Sequence, residues 1–326
     1  MKFLPKSILL LVVLLVASAC SAAFETAGLS ADDAAMLSSA LSVDPTTASL
    51  DFDYTFAMNV TVEGETLSVT TAGRGISDPA NGNSSLTMAG EVSGVPDLGG
   101  AAMPYDLEIR TINTNDVYIS GIASLVDPSM DNNQWVYLPA DMTTQMALAS
   151  SPEIQSTGVV QDGEIDVAGL YGTLNDNFFG TAGNYIVAER VADMDGMAHY
   201  TLNLQVGDWL ASDELSGGLE ALIPMMAGDA VPAEEMEASM MQMGMMLGMA
   251  GMIADSGTYQ LDYFVDPATG ALSSAMISFA LEIDPAMLGG EGDPVTFDMT
   301  LNVDLNEFGA DSVVVAPEDF INPMGG

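Results

Sequence analysis

From Leu50 to Val62 the chain reads LDFDYTFAMNVTV, with a large apolar residue at every second position. Phe52, Tyr54, Phe56, Met58, Val60 and Val62 take one side; Asp51, Asp53, Thr55, Asn59 and Thr61 take the other. Period two over a dozen residues marks a strand with one buried and one wet face. Such a strand belongs in an antiparallel sheet, because parallel sheets are covered on both faces. The chain supplies neighbours for it. Glu63-Gly64-Glu65 turns into a returning strand at Thr66–Gly73, and further strands are expected at Ser84–Val92, Tyr105–Asn113, Asp116–Gly121 and Gln134–Leu138. A second group is expected at Tyr185–Val191, Met197–Val206, Gly257–Val265, Ala271–Ile283, Asp293–Asp304 and Ser312–Val315. Asn113-Thr114-Asn115 and Asp266-Pro267-Ala268-Thr269-Gly270 carry the turn chemistry that joins them.

Helical pattern is expected at Ala31–Leu41, Ala140–Gln155, Gly163–Phe179 and Gly207–Ile253, the last interrupted at Pro224 and Pro232. No linker divides the strand groups, so the expected class is α+β, one curved antiparallel sheet with helices packed on one face. A pure β-sandwich is the rival, and the long helical stretch before Ile253 speaks against it.

The N-terminus sets location. Lys2 and Lys6 precede an apolar run, Ile8 to Val16, and the small residues Ala17-Ser18-Ala19 lead to Cys20, the single cysteine of 326 residues. This pattern reads as a signal peptide over residues 1–19, and Cys20 stands where a bacterial lipoprotein accepts its diacylglyceryl anchor. Ala17 and Ala19 also suit ordinary secretory cleavage, which would leave a free thiol and a secreted protein. The apolar run is short for a membrane span. Residues 20–49 then read as a lipid-anchored tether and first helix, and the expected location is extracytoplasmic, on the cell membrane or outer envelope.

Cleavage before Cys20 would leave Arg74, Arg110 and Arg190 against 46 acidic residues, with no lysine, for a formal charge of −43. Such a surface repels nucleic acid and anionic headgroups and keeps a chain soluble at high salt. No nucleic-acid partner is expected. The carboxylates are dispersed, no calcium loop spacing occurs, and 48% of residues are hydrophobic, enough for a sizeable core.

Reactive chemistry is scarce. His199 is the single histidine and sits within an expected strand; no G-x-S-x-G, P-loop, G-x-G-x-x-G or H-E-x-x-H pattern is present. We expect a non-enzyme with no catalytic residue, no resident metal and no cofactor. The one segment of unusual composition is methionine-rich: Met236, Met240, Met241, Met243, Met245, Met246, Met249 and Met252. Met236, Met240, Met243 and Leu247 share a helix face, which suits a buried helix or a pliable cover over an apolar cavity. Cu(I) binding through Met241, Met243, Met245, Met246 and Met249 is the third reading, with no Cys or His beside them.

The order of these features resembles the LolA/LppX-type bacterial lipoproteins. A lipoprotein signal is followed by the long strand Leu50–Val62, then Gly73-Arg74-Gly75 running into Asp78-Pro79. Asp116-Val117-Tyr118-Ile119 and Trp135-Val136-Tyr137-Leu138 come next, and the C-terminal part carries Tyr259-x-Leu261-x-Tyr263, Val265-Asp266, Thr269-Gly270 and Val315-x-Pro317. The resemblance spans about residues 30–320 and departs from the family in the methionine-rich insertion at about 208–253 and in its acidity. It implies a half-open β-barrel over 50–321 with helices against the concave face, and a hollow that holds lipid acyl chains, as carrier or sensor. The residues it places in that hollow are Phe52, Tyr54, Phe56, Met58, Tyr259, Leu261, Tyr263, Ile277, Phe279 and Leu281, covered by Met236, Met240, Met243 and Leu247. The alternatives are an envelope protein-interaction module without lipid and a Cu(I)-handling lipoprotein.

Overall fold

The computed structural model describes residues 27–42, 47–95, 101–122, 131–138, 160–161, 164–165, 182–215, 244, 248–288 and 292–322. The leader and Cys20, the expected helix at 140–155, and Met236, Met240, Met243 and Leu247 lie outside the described residues. Of the expected helix at 163–179 only 164–165 are described, and they pair as a strand with 160–161 rather than starting a helix.

The described strands are β1 (Leu50–Val62), β2 (Glu65–Asp78), β3 (Asn83–Ser93), β4 (Met103–Ile112), β5 (Asp116–Ser120), β6 (Trp135–Leu138), β7 (Val160–Gln161), β8 (Glu164–Ile165), β9 (Ile186–Arg190), β10 (Ala198–Leu204), β11 (Thr258–Val265), β12 (Leu272–Ile283), β13 (Val295–Asn306) and β14 (Phe320–Ile321). The α-helices described over their whole length are α1 (Ala31–Leu41) and the short α2 (Val206–Leu210); residues 248–254, at the end of the expected helical stretch, are helical too. Twelve strands join in one sheet in the order β14-β6-β5-β4-β3-β2-β1-β13-β12-β11-β10-β9, which does not return on itself; β7 and β8 form a separate pair. The class is therefore α+β, a large open antiparallel sheet with few helices among the described residues.

The chain divides into two compact units. One comprises Met1–Ser42, Thr144–Leu261 and Pro267–Gly270, and the other Val43–Thr143, Asp262–Asp266 and Ala271–Gly326. In the first unit, Ser30 caps α1: its hydroxyl accepts from the Asp33 N–H at 3.2 Å and donates to the Asp33 carboxylate at 2.6 Å. Ala34, Leu37, Ala40 and Leu41 form the buried stripe of that helix. Arg190 on β9 donates to Asp33 at 2.8 Å and to Asp193 at 3.0 Å, with its guanidinium 5.8 Å from the ring centre of Tyr200 on β10. Tyr200, Leu202, Ala198 and Trp209 complete this core.

The second unit holds β1–β6 and β12–β14. β1 pairs β2 along its whole length and β13 from Asp51 to Thr61, so the longest alternating segment becomes a central strand. β2 runs past the expected stop at Gly73 to Asp78, because Arg74 and Gly75 continue the ladder opposite Asp53 and Phe52. The expected strand Ser312–Val315 is not one. Ala310–Ser312 is a 3-10 turn, and the carbonyls of Val314 and Val315 accept from the side chains of Asn83 and Arg110 rather than from a neighbouring strand. The chain ends its sheet instead at β14, two residues that pair β6 in parallel.

Candidate functional site

Register in the second unit sorts every strand into two faces. One row runs Val136, Ile119, Ile109, Leu86, Gly75, Phe52 and Leu305 across seven strands. Two rows further along β1, Tyr105, Gly90, Thr71, Phe56, Leu301 and Ile277 align across six. The next row is Met103, Val92, Val69, Met58, Met299 and Phe279, and the last is Leu67, Val60, Phe297 and Leu281. The reverse face carries Asp51, Asp53, Thr55, Asn59, Asp298, Thr300, Asn302 and Asp304. Alternation read from β1 alone thus extends over the whole unit.

Burial changes along the apolar face. Val136, Ile109, Phe52, Tyr54, Ala275 and Leu301 are buried. Met58, Val60, Leu67, Val69, Val92, Phe279, Leu281, Phe297 and Met299 are only half-buried, and Met103 is 42% exposed. Phe279 and Phe297 meet edge-on with ring centres 5.0 Å apart within this half-open region. A contiguous apolar region left partly open is the kind of surface on which a ligand, a membrane or a partner protein packs.

The buried part is organised by aromatic rings laid across glycines. Phe52 lies over Gly75, where an added Cβ would fall 2.1 Å from the ring. Tyr54 crosses Gly73 to the third strand, where its hydroxyl donates to the Thr87 carbonyl at 3.0 Å; a Cβ at Gly73 would sit 1.9 Å from that same oxygen. Tyr105 reaches over Gly90 in the same way and shares a short hydroxyl contact with Thr71. Glycine in a strand interior commonly marks such close approach, and a large ring above it restores the packing that the missing side chain would leave out. Burial, and the neighbouring Tyr105, push the Tyr54 phenol well above the usual tyrosine range.

These contacts place the expected lining residues. Phe52, Tyr54, Phe56, Met58, Ile277, Phe279 and Leu281 share one face, on β1 and β12 with β13 between them. Phe52 and Tyr54 are consumed by the glycine crossings, whereas Phe56, Met58, Ile277, Phe279 and Leu281 remain half-buried. Tyr259, Leu261 and Tyr263 alternate along β11, the first half-buried and the other two buried. His199 is half-buried on β10. Of the methionine-rich segment, Met249 and Met252 are described and exposed. A depression of about 350 Å³ is bounded by Thr55, Phe56 and Ala57 of β1, Thr70, Thr71 and Ala72 of β2, Ala89 and Gly90 of β3, and Thr300 and Asn302 of β13.

The polar face also carries the chief charged cluster. Asp51 is 2% exposed; Arg74 donates to its two oxygens at 2.8 and 2.5 Å, and Ser312 donates at 2.6 Å. The Arg74 guanidinium, helped by Ser312 and Asn306, holds this carboxyl down at about 2 against the opposing effect of burial. Arg110 donates to Glu108 at 2.7 Å and to the Val315 carbonyl at 3.1 Å, and lies 4.6 Å from the ring centre of Trp135. With Arg190 in the first unit, all three arginines beyond Cys20 are engaged with carboxylates. Residue type alone gave no sign of these pairings, since 46 acidic residues compete for each cation. Among the described residues no group of three or more His, Cys, Asp or Glu side chains could hold a metal ion.

No protein-family model matches the sequence, and no curated protein matches it. Solved structures resemble it loosely. A domain described as outer membrane lipoprotein-sorting, from Vibrio parahaemolyticus, is 9% identical over 78% of this chain and 84% of that one, with a TM-score of 0.16. A porin-like protein from Bacteroides uniformis is 9% identical over 78% and 96%, with a TM-score of 0.19. A DUF1329 family protein from Desulfovibrio piger is 11% identical over 83% and 90%, with a TM-score of 0.15. Superpositions this loose decide nothing about fold or activity. No helix among the described residues is long and apolar enough to cross a membrane, which leaves strand-built spans untouched.

Proposed function

We propose that the chain is a lipid-anchored extracytoplasmic protein that takes an apolar ligand, lipid acyl chains, onto the apolar face of a half-open barrel, as carrier or sensor. Residues 1–19 serve as signal peptide and Cys20 as the acylated residue. Residues 20–49 form the tether and first helix, and 50–321 the half-barrel, with helices against its concave face and a methionine-rich insertion at about 208–253. The observation that supports this reading is the half-buried end of the apolar face, where Met58, Val60, Phe279, Leu281, Phe297 and Met299 meet across three strands. Each methylene buried there contributes about 0.8 kcal/mol, so a single long acyl chain needs no charged contact to be held. Phe56 and Ile277 extend the same surface, and Met236, Met240, Met243 and Leu247 would cover it. The work is burial rather than catalysis.

The test is purification without detergent from cells exporting the full chain, followed by lipid extraction and mass spectrometry. Stoichiometric lipid, lost on Phe279→Ser, is the expected result. A chain that purifies folded and empty and takes up no lipid from vesicles refutes the reading. Intact-mass measurement of the mature N-terminus separately checks acylation at Cys20.

A further inference from the structure

After β13 the chain crosses the polar face of the second unit as a strap, residues 307–322, and ends at the β6 edge of the sheet. Little of it is held by a sheet ladder. Ser312 donates to Asp51, and the carbonyls of Val314 and Val315 accept from Asn83 and Arg110 at 3.1 Å each. Only Ser312 and Val314 are buried, at 1% and 6% exposure; Val313 and Val315 point outward, 66% and 59% exposed. An extended segment that buries so few side chains gains little from docking.

The strap's end pairs in parallel, whereas β1 to β6, β12 and β13 pair antiparallel. Phe320 and Ile321 match Trp135 and Val136, half of the four residues of β6. Parallel pairing is the weaker arrangement per residue, and two residues are a small ladder. What locates the end is a ring contact. Phe320 sits 5.2 Å from Tyr118 and 5.6 Å from Tyr137, ring centre to ring centre, and is still 46% exposed.

We propose that the strap is a displaceable occupant of the β6 edge, and that the edge it vacates docks a partner's extended peptide segment bearing an aromatic residue. The chemistry of that partner is read from the strap itself: an extended backbone for β6, and one ring to pack against the Tyr118–Tyr137 pair, whose own ring centres lie 5.2 Å apart. A segment entering antiparallel could pair all four residues of β6, which the strap, arriving from the polar face, does not. Strand addition to an open edge takes its affinity from backbone hydrogen bonds and its specificity from side-chain contacts of this kind.

The experiment has two arms. In the intact full-length chain, hydrogen exchange at the β14 ladder residues 320–321 is expected to run at least a hundredfold faster than at the paired amides of β12 and β13. Exchange as slow as in those strands means that the strap opens only with the sheet, and overturns the proposal. The second arm titrates a fluorescein-labelled synthetic peptide of residues 307–322 with the full chain and with its Phe320→Ala variant. Self-occupancy lowers apparent affinity by the fraction of edges that are open, so the variant is expected to bind the peptide at least tenfold more tightly. The same peptide with Phe320→Ala is expected not to bind. Equal affinity for both chains, or none, overturns the proposal. So does a strap-exchanged dimer at the concentrations used, which would assign the edge to a second copy. If Phe320→Ala does not fold, the exchange arm on the intact chain decides.

Discussion

Asp51→Asn isolates the Asp51–Arg74 pair and tests whether a buried carboxylate holds the second unit together. An ordinary aspartate titrates at 3.8, and Asp51 in the folded chain at about 2. At 1.36 kcal/mol per unit this difference is worth about 2 kcal/mol, an upper figure because Arg74 is 42% exposed and its pairing is screened by solvent. The folded pKa is the lower one, so the stabilisation is fully present above about pH 4. It drains away as the pH falls toward 2, where the folded carboxyl takes its proton. The two tryptophans allow a clean assay, since Trp135 lies in the second unit and Trp209 in the first. In a Trp209→Phe background, urea unfolding followed by Trp135 emission reports the second unit. Asp51→Asn is expected to cost about 2–3 kcal/mol at pH 7, because its amide cannot replace both charged contacts and the Ser312 hydroxyl keeps one acceptor fewer. Between pH 4 and 2 the parent is expected to lose about 2 kcal/mol more than the variant. Parallel pH profiles for the two chains in that window would refute the reasoning.

Other outcomes follow from the same contacts. Tyr54→Phe removes the bond to the Thr87 carbonyl and is expected to cost about 1 kcal/mol by urea unfolding, while Gly73→Ala, which drives a methyl into that carbonyl, costs about 2–3 kcal/mol. Ser30→Ala removes the cap of α1 and is expected to lower the stability of the first unit by about 1 kcal/mol, read from Trp209 emission in a Trp135→Phe background. Arg190→Ala breaks exposed pairs to Asp33 and Asp193 and should cost no more than about 1 kcal/mol, with the loss shrinking in 1 M salt. Met58→Ser and Phe279→Ser are expected to cost about 1–2 kcal/mol each by urea unfolding, leaving the chain folded while reducing co-purifying lipid, because both side chains are half-buried and Phe279 packs on Phe297.

Much of the sheet was legible because alternation is a local signal. β1 and the Ala31–Leu41 helix fall where the pattern puts them, and β3, β4, β5 and β12 differ from expectation by two residues or fewer at either end. Glycine misled at β2. Gly73 read as the end of a strand, yet it and Gly75 lie inside one, because Tyr54 and Phe52 cover them from the neighbouring strand. That compensation joins residues about twenty positions apart and leaves no periodic trace. Val313-Val314-Val315 read as a strand from β-branched residues alone, but a strand needs a partner ladder, and side chains of Asn83 and Arg110 took its carbonyls. The apolar face was legible as a set of residues. Its division into a buried end and a half-open end was not, since that depends on what lies across each row.

The pairing of β1 with β13 bears on how the chain is made. Asp51 meets Asn306 and Thr61 meets Thr296, so the middle of the sheet joins residues separated by more than two-thirds of the chain. Most of the first unit, Thr144–Leu261, is encoded between them. At about 5–20 residues per second, roughly 10–50 s of synthesis separates the emergence of β1 from that of its second neighbour. Throughout that interval Phe52, Phe56 and Met58 belong to a sheet with one unsatisfied flank. Loop closure over such a distance is slow, so the β1–β13 pairing is a late step in folding. Its late arrival makes the last fifty residues the step that completes the fold.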